Sequence, residues 1–335
     1  MKKHQTTILD IARELRLSKS TVSRALTGHP NVKQETRKTI LEMAEKLDYE
    51  RNMLAISLVR SKSNTIGVIV PEFLNSFFPL IIDEIQKTAS LAGYNVLITQ
   101  SGESYETEVT NAKILLANYV DGVLVSLTKE TQNFDHLKIF QRKGIPIVFF
   151  NRVCEDMEVP KVIVDDYSGA FNAVEHLIKR GKRRIAHLAG PATLQISRKR
   201  LSGYRDALTK HRIPIDEELI IPYDFSVDKV HIYVKYLLNL PNRPDALFAI
   251  NDPTAIRAIQ VIKAEGLRIP KDIAVVGFSN DPVGEFMEPS LTTVSQPLKE
   301  MGQTATRLLI DQIEKDATKP LIKALKTSLI VRNSS

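Results

Sequence analysis

The 335-residue chain has no tryptophan and a single cysteine, Cys154. One thiol closes no internal disulfide and builds no structural zinc site, and the seven histidines nowhere stand at metal-ligand spacing. The 14 glycines are scattered. The nearest two, Gly277 and Gly284, lie seven positions apart, which leaves room for neither a G-x-G-x-x-G dinucleotide fingerprint nor a P-loop. A G-x-S-x-G nucleophile elbow is also missing. No apolar run approaches the ~20 residues that cross a bilayer. The opening residues Met1-Lys2-Lys3-His4-Gln5 lead into a polar, helix-patterned stretch rather than an export signal. These absences point to a cytoplasmic chain that needs no metal or cofactor and is not an enzyme of those kinds. The 43% of hydrophobic residues suffices for a packed core in two to three domains of ~100–150 residues each.

What is present is unevenly placed. Residues 1–63 hold 13 Lys/Arg against 7 Asp/Glu, whereas the remaining 272 hold 33 against 32, so almost all of the net charge of +7 sits in the first fifth. A basic head on a near-neutral body suits a polyanion-binding module joined to a sensing or catalytic one. Charge alone does not separate that reading from a solvated charged face. Pattern does. Ile8, Ile11, Ala12 and Leu15 recur at helical spacing, and Thr7 with Asp10 makes a capping-box start, so a short helix is expected over about 7–15. Ser18 is a good N-cap for a second helix whose inner face is Val22, Ala25 and Leu26. A third is expected over about 33–47, striped by Ile40, Leu41, Ala44 and Leu47. Two short helices meeting at a tight turn form a helix-turn-helix. The outer face of the second presents Lys19, Ser20, Thr21, Ser23 and Arg24. Lys19 and Arg24 can donate to guanine acceptors or phosphates, Ser20 to either partner, and Thr21 suits a phosphate.

Past residue 63 short apolar strands alternate with amphipathic helices. Strands are expected at 66–70, 95–99, 122–125 and 145–150, with helices at about 78–92, 106–118 and 137–143. A second set has strands at 161–164, 184–188, 246–250 and 273–276 and helices at 170–180, 200–210, 230–238 and 254–265. Continuous apolar strands, each followed by a helix, argue for parallel sheets covered on both faces, hence an α/β body of two lobes. Ligands bind such sheets beyond the carboxyl ends of the strands. Those ends nominate Phe77, Phe78, Thr128, Asn151, Arg152, Arg200, Asn251, Asp252, Ser279 and Asn280, a mixture of aromatic rings, amides, hydroxyls and guanidinium suited to a neutral polyol. Phe77 and Phe78 also fit a core, and Asn251-Asp252 also fits a helix cap.

The run Thr7-Ile8-x-Asp10-Ile11-Ala12 and then Leu17-Ser18-x-Ser20-Thr21-Val22-Ser23-Arg24-x-Leu26 closely resembles the DNA-binding head of the LacI/GalR family of bacterial transcriptional repressors. The likeness continues through Thr36-Arg37-x-x-Ile40 and Ala44-x-x-Leu47-x-Tyr49. In the body it is carried by Asp121-Gly122, Asn151-Arg152, Val164-Asp165-Asp166, Arg200-x-x-Gly203-Tyr204, Ala249-x-Asn251-Asp252, Gly277-Phe278 and Leu291-Thr292-Thr293-Val294. The resemblance implies a DNA-binding domain over 1–49 in which Thr7, Lys19, Ser20, Thr21, Ser23 and Arg24 contact DNA. It implies a hinge over 50–63 whose Leu58 wedges into the minor groove. It also implies an effector-binding and dimerisation body over 64–335, like periplasmic sugar-binding proteins. The chain would cross between lobes near Val164, Leu291 and Pro320, giving one lobe from 64–163 and 294–319 and the other from 164–291 and 320–335. The partners implied are a pseudopalindromic double-stranded operator, a second copy of the chain and a sugar or sugar derivative.

Five departures bear on this. Arg51 stands where the family usually has Pro, Ile56 where it often has Arg, and Arg16 occupies a turn that favours Gly or Asn. Ser279-Asn280 replaces two common Asp residues, and Leu194 and Ile196 are apolar at positions often polar. The lost carboxylates favour a ligand that itself carries negative charge over a simple hexose. Two other functions compete: a small-molecule binding protein without a regulatory role, and an enzyme acting on a sugar or nucleotide in the same cleft, for which no acid/base pair is evident.

Overall fold

Three short helices carry the first unit of the chain, and two six-stranded sheets carry the second. The computed structural model describes residues 6–50, 62–315 and 321–335, and it divides into compact units at Met1–Ser63 and Asn64–Ser335. Arg51, Ile56, Leu58 and Pro320 lie outside the described residues.

In the first unit α1 (Ile8–Glu14), α2 (Lys19–Leu26) and α3 (Gln34–Lys46) close on Ile11, Ala12, Val22, Ala25, Ile40 and Ala44, all buried. Small Ala12 and Ala25 let the helix axes approach, and branched Ile11, Val22 and Ile40 fill what remains. The α1–α2 turn is tight. Leu17 N–H reaches back to the Ala12 carbonyl at 2.9 Å, and Arg16 takes the left-handed conformation, φ 52°, that the sequence flagged as awkward for it.

The second unit contains β1 (Thr65–Val70), α4 (Phe77–Leu91), β2 (Asn95–Gln100), α5 (Tyr105–Ala117), β3 (Gly122–Val125), α6 (Asp135–Arg142), β4 (Ile147–Phe150) and β5 (Lys161–Val164). There follow α7 (Asp166–Lys179), β6 (Ile185–Ala189), α8 (Gln195–Lys210), β7 (Ile220–Pro222), α9 (Val227–Leu238), β8 (Ala246–Ala249), α10 (Asp252–Ala264), β9 (Ala274–Ser279) and α11 (Val283–Phe286). The chain ends with β10 (Thr292–Ser295), α12 (Leu298–Lys315), β11 (Ile322–Leu325) and β12 (Ser328–Ile330). The sheets run β11-β5-β4-β3-β1-β2 and β12-β10-β9-β8-β6-β7, parallel throughout except where β12 pairs antiparallel with β10. Both faces are buried, as the apolar strands demand. In the first sheet Val68, Leu124 and Val148 pack under α4 and α12, while their neighbours Ile69, Val123 and Phe149 pack under α5 and α6. The second sheet repeats the arrangement, with Leu188, Leu247 and Val275 on one side and Phe248, Val276 and Phe278 on the other.

Two of the three expected lobe crossings move. β10 pairs with β9 in register from Thr292 against Val276 to Ser295 against Ser279, so residues 294 and 295 belong to the second lobe and the crossing falls after Ser295. β11 pairs with β5, Ile322 against Lys161, so residues 322–325 belong to the first lobe and the last crossing follows Leu325. Hydroxyls hold β10 where it is: Thr293 Oγ1 donates to Asp252 at 2.6 Å, inside the second lobe. β11 is an exposed edge strand, with Ile322 63% accessible, and carries no apolar alternation to announce its partner. The crossing near Val164 is found where β5 gives way to α7. None of the helices among the described residues is long and apolar enough to cross a membrane.

The second lobe depends on a close crossing of α7 and α8. A Cβ placed on Gly203 would press into the Tyr167 carbonyl oxygen and lie 2.9 Å from the Phe171 nitrogen. Helix propensity alone favours Gly203→Ala by about 0.5–1 kcal/mol, but overpacking here is expected to reverse the sign and cost about 1–3 kcal/mol. Urea unfolding checks the direction, and a gain in midpoint would contradict the packing argument.

Candidate functional site

The second helix of the head presents its outer face through a well-fixed start. Ser18 Oγ accepts the Thr21 N–H at 3.0 Å and shares a 2.8 Å hydrogen bond with Thr21 Oγ1, so the Thr21 hydroxyl is engaged in the cap. At α1, the Thr7 N–H and hydroxyl both donate to Asp10 Oδ2, at 2.8 and 2.7 Å. Thr7 therefore fixes that helix start and spends its donor in doing so. Lys19, Ser20, Ser23 and Arg24 fall within an arc of about 140° on α2, opposite buried Val22 and Ala25. Among the described residues Lys19, Ser20 and Arg24 are exposed and their side chains have no partner.

Where the strands of the body end, a cleft opens to solvent between the lobes. Its walls come from the loop after β1, the ends of β4, β8 and β9, the start of α8, the loop after β7 and the crossing into α12. Four wall residues other than glycine, Asn151, Phe225, Ser279 and Asn280, have positive φ of 59°, 64°, 131° and 59°. Such backbone persists where surrounding structure holds it for a site.

Two arginines stand in the wall, each held by a carboxylate. Arg200, 3% exposed, donates from Nε to Asp166 Oδ1 at 2.8 Å and from Nη1 to the Ile250 carbonyl at 2.5 Å; its Nη2 lies 2.7 Å from the same Asp166 oxygen, and its guanidinium lies 3.6 Å from the Phe278 ring centre. Burial pushes the Asp166 carboxyl up and the Arg200 guanidinium down, and their mutual hydrogen bonds oppose both shifts. Arg152 donates to both oxygens of Glu103 at 2.8 and 2.9 Å. It sits between Phe78 of one lobe and Phe225 of the other, 6.0 and 5.3 Å from their ring centres. Ser76 Oγ reaches Asp281 Oδ2 across the cleft at 2.9 Å, and Lys129 Nζ reaches the Asp224 carbonyl at 2.7 Å. Burial pushes the Glu72 carboxyl above its ordinary range, against hydrogen bonds from Leu74 N–H and Asn75 and the pull of Arg152.

Residues 7–52 match the model for bacterial regulatory proteins of the lacI family, and residues 174–335 match the periplasmic binding protein-like domain. Catabolite control protein A of Priestia megaterium is 32% identical over 98% of this chain and 99% of its own length. The transcriptional repressor CytR of Escherichia coli K12 is 34% identical over 100% and 98%. The chain belongs to the lacI family. Among solved structures, the lac repressor dimer bound to operator and an anti-inducer superposes with TM-score 0.87 at 27% identity over 99% of both chains. A complex of the regulator CelR with cellobiose gives 0.76 at 30% identity, over 98% of this chain and all of that one. This lacI-family chain is thus a DNA-binding transcriptional repressor whose body is its effector-control domain.

Eight of the ten effector residues expected from the sequence line the cleft of this lacI-family body: Phe77, Phe78, Asn151, Arg152, Arg200, Asn251, Ser279 and Asn280. Phe78 does so while 2% exposed and packed into the first lobe's core. Asn251 also caps α10, accepting from Thr254 N–H at 3.0 Å. Thr128 and Asp252 do not reach the cleft. Fully buried Thr128 is tied to Thr131 Oγ1 and Glu108. Asp252, also fully buried, receives Thr293 Oγ1 and the Asp281 N–H, both at 2.6 Å, and burial pushes its carboxyl to about 6. Its role is to pin the ends of β9 and β10. Sequence reasoning missed Glu72, Asn75, Phe225 and Gln296. Glu72 and Asn75 lie at the same strand end as Phe77 and Phe78, whereas Phe225 follows a strand, β7, that the apolar pattern did not mark.

Proposed function

We propose that the chain acts in the cytoplasm as a homodimer on a pseudopalindromic double-stranded operator, one α2 in the major groove of each half-site. A two-fold protein matches a two-fold site, and a single small head buries too little surface for tight specific binding. Lys19, Ser20 and Arg24 read base edges, Ser23 approaches the backbone, and Thr7 and Thr21 set the helix starts. Leu58 in the 50–63 hinge wedges the minor groove. A sugar or sugar derivative held in the cleft by Phe77, Asn151, Arg200 and Asn251 changes the angle between the lobes. Through the dimer this alters operator affinity by a coupling of about 1–3 kcal/mol.

The observation that carries this reading is the row of exposed, unpartnered donors on α2. Fluorescence anisotropy with palindromic fragments tests it, and absence of binding to every fragment at low salt would sink it. Within that assay Arg24→Ala is expected to lower discrimination between operator and mismatched DNA by about 1–3 kcal/mol. An equal loss on all sequences would place Arg24 on a phosphate instead.

A further inference from the structure

The replacement of two common carboxylates by Ser279-Asn280 argues from sequence for an anionic ligand. The charges that surround the cleft argue the other way. Two cations line it, Arg152 and Arg200, and the described lining includes no lysine. Both are matched from within, Arg152 by Glu103 and Arg200 by Asp166 and the Ile250 carbonyl. Arg332, behind the wall, is engaged by Asn280 Oδ1 at 2.9 Å and by Glu285 at 3.7 Å.

Two carboxylates line the same space, Glu72 and Asp281, and neither forms an ion pair among the described residues. Glu72 accepts from the Leu74 N–H and from Asn75 Nδ2 at 2.8 Å, and Asp281 accepts from Ser76 Oγ at 2.9 Å and Val283 N–H at 3.0 Å. These are neutral donors, and each carboxylate keeps lone pairs free for more. The lining and its immediate partners thus hold three positive groups, Arg152, Arg200 and Arg332, against five negative ones, Glu72, Asp281, Glu103, Asp166 and Asp252. A phosphate entering this space would meet no uncommitted cation.

Two buried polar atoms in the wall lack partners. Gln296 is 6% exposed; its Nε2 donates to Ser279 Oγ at 3.1 Å, while its Oε1 has no partner. Arg152, 8% exposed, likewise has an unpaired Nε. An orphan acceptor and an orphan donor on one cavity are both satisfied by a hydroxyl-bearing ring. Phe77, Ile196 and Leu298 supply apolar surface for its face. Gln296 also lies on the lobe crossing between β10 and α12, so a ligand hydroxyl donating to it bears directly on the segment that sets the lobe angle.

On the reading of the cleft as the effector site, we propose that it takes an uncharged ring compound rich in hydroxyl or amine donors, with Gln296 Oε1, Glu72 and Asp281 receiving those donors, and that it rejects phosphorylated compounds. The position of the carboxylates has moved relative to the family pattern, and their number in the cleft has been restored.

Matched pairs test this on the full chain by isothermal titration: ribose and ribose 5-phosphate, glucose and glucose 6-phosphate, cytidine and cytidine 5′-monophosphate, adenosine and adenosine 5′-monophosphate. In any pair that binds, the uncharged member is expected to be at least about 100-fold tighter, since like charges placed together cost several kcal/mol. Gln296→Met is expected to weaken that member about 10-fold or more. The double change Glu72→Gln, Asp281→Asn is expected to narrow the gap within the pair by about 10-fold. A phosphorylated member binding as well as or better than its partner overturns the proposal and leaves the effector reading standing. Binding by no member of any pair, in protein that still holds operator DNA, overturns the effector reading itself and the proposal with it.

Discussion

Arg200→Ala is expected to lower the stability of the body by about 3–5 kcal/mol at neutral pH, far more than the loss of one ligand contact would suggest. The reason is what the arginine leaves behind. Asp166 is 2% exposed, and its Oδ1 accepts from Arg200 Nε with Nη2 2.7 Å away, while Oδ2 has no partner. With the guanidinium gone, the carboxylate is a buried charge with nothing opposite it. The Ile250 carbonyl loses its donor in the same step, and the Phe278 ring loses the cation stacked at 3.6 Å. Urea unfolding near neutral pH measures the loss, and a value under about 1 kcal/mol would mean that water reaches Asp166 freely.

The sign of the pH dependence separates this cause from lost packing. Burial already holds the Asp166 carboxyl above its ordinary value, and removing its cationic partner raises it further. A carboxyl whose folded-state pKa is raised costs stability above that pKa, and the cost fades as pH falls through it toward the unfolded value. The deficit of Arg200→Ala is therefore expected to shrink on acidification from neutral toward pH ~4. A cavity left by the missing side chain would give a deficit indifferent to pH. Pairing Arg200→Met with Asp166→Leu removes both charges, and most of the stability is expected to return. On the proposed reading of Arg200 as an effector contact, ligand binding is not expected to return with it, because the double change restores charge balance but not the guanidinium at the cleft wall.

The two halves of the molecule were not equally legible in the sequence. In the head the signals are local. Ile11, Ala12, Val22 and Ala25 fall at helical spacing within one stretch, Ser18 stands at the cap it serves, and the burial follows the stripe. In the body, strand ends located the cleft but not the direction in which side chains point. Thr128 and Asp252 sit at strand ends and face inward, because partners distant in sequence, Glu108 and Thr293, claim them. Arg200 was identified, and its buried counter-ion Asp166 was seen only as part of a motif. The elements that escaped notice are those whose reason for existing is remote. β7 and β11 are short edge strands without alternation, and α12, eighteen residues long, packs across α4 from the far end of the chain. Gln296 reaches the cleft only because the chain crosses between lobes after β10, one strand later than the motif suggested.

Raising salt from 50 to 200 mM is expected to weaken operator binding by about 10³–10⁵, if the dimer makes ~6–10 phosphate contacts. Residues 1–63 carry 13 Lys/Arg against 7 Asp/Glu, and a dimer presents that excess twice. Little of it is neutralised internally by the described pairs. Arg13 with Asp10 at 3.6 Å and Lys38 with Glu42 at 4.0 Å are exposed contacts of the kind worth little in water. Each phosphate neutralised releases condensed counterions, so the logarithm of affinity should fall linearly with the logarithm of salt, with a slope near −0.9 per contact. The body behaves differently. With 33 basic against 32 acidic residues it has no field of one sign, and the two arginines of the cleft are matched by carboxylates at hydrogen-bond distance, well inside a Debye length of ~8–10 Å. An uncharged effector should accordingly bind with an affinity that hardly changes over the same range. Measured on one preparation by anisotropy for DNA and titration for ligand, the two slopes separate the basic head from the balanced body. A shallow DNA slope, below about 3, would mean that most of the basic excess never meets phosphate. A steep ligand slope would mean that charge enters the cleft with the effector, against the donor-rich neutral ring that Gln296, Glu72 and Asp281 are placed to receive.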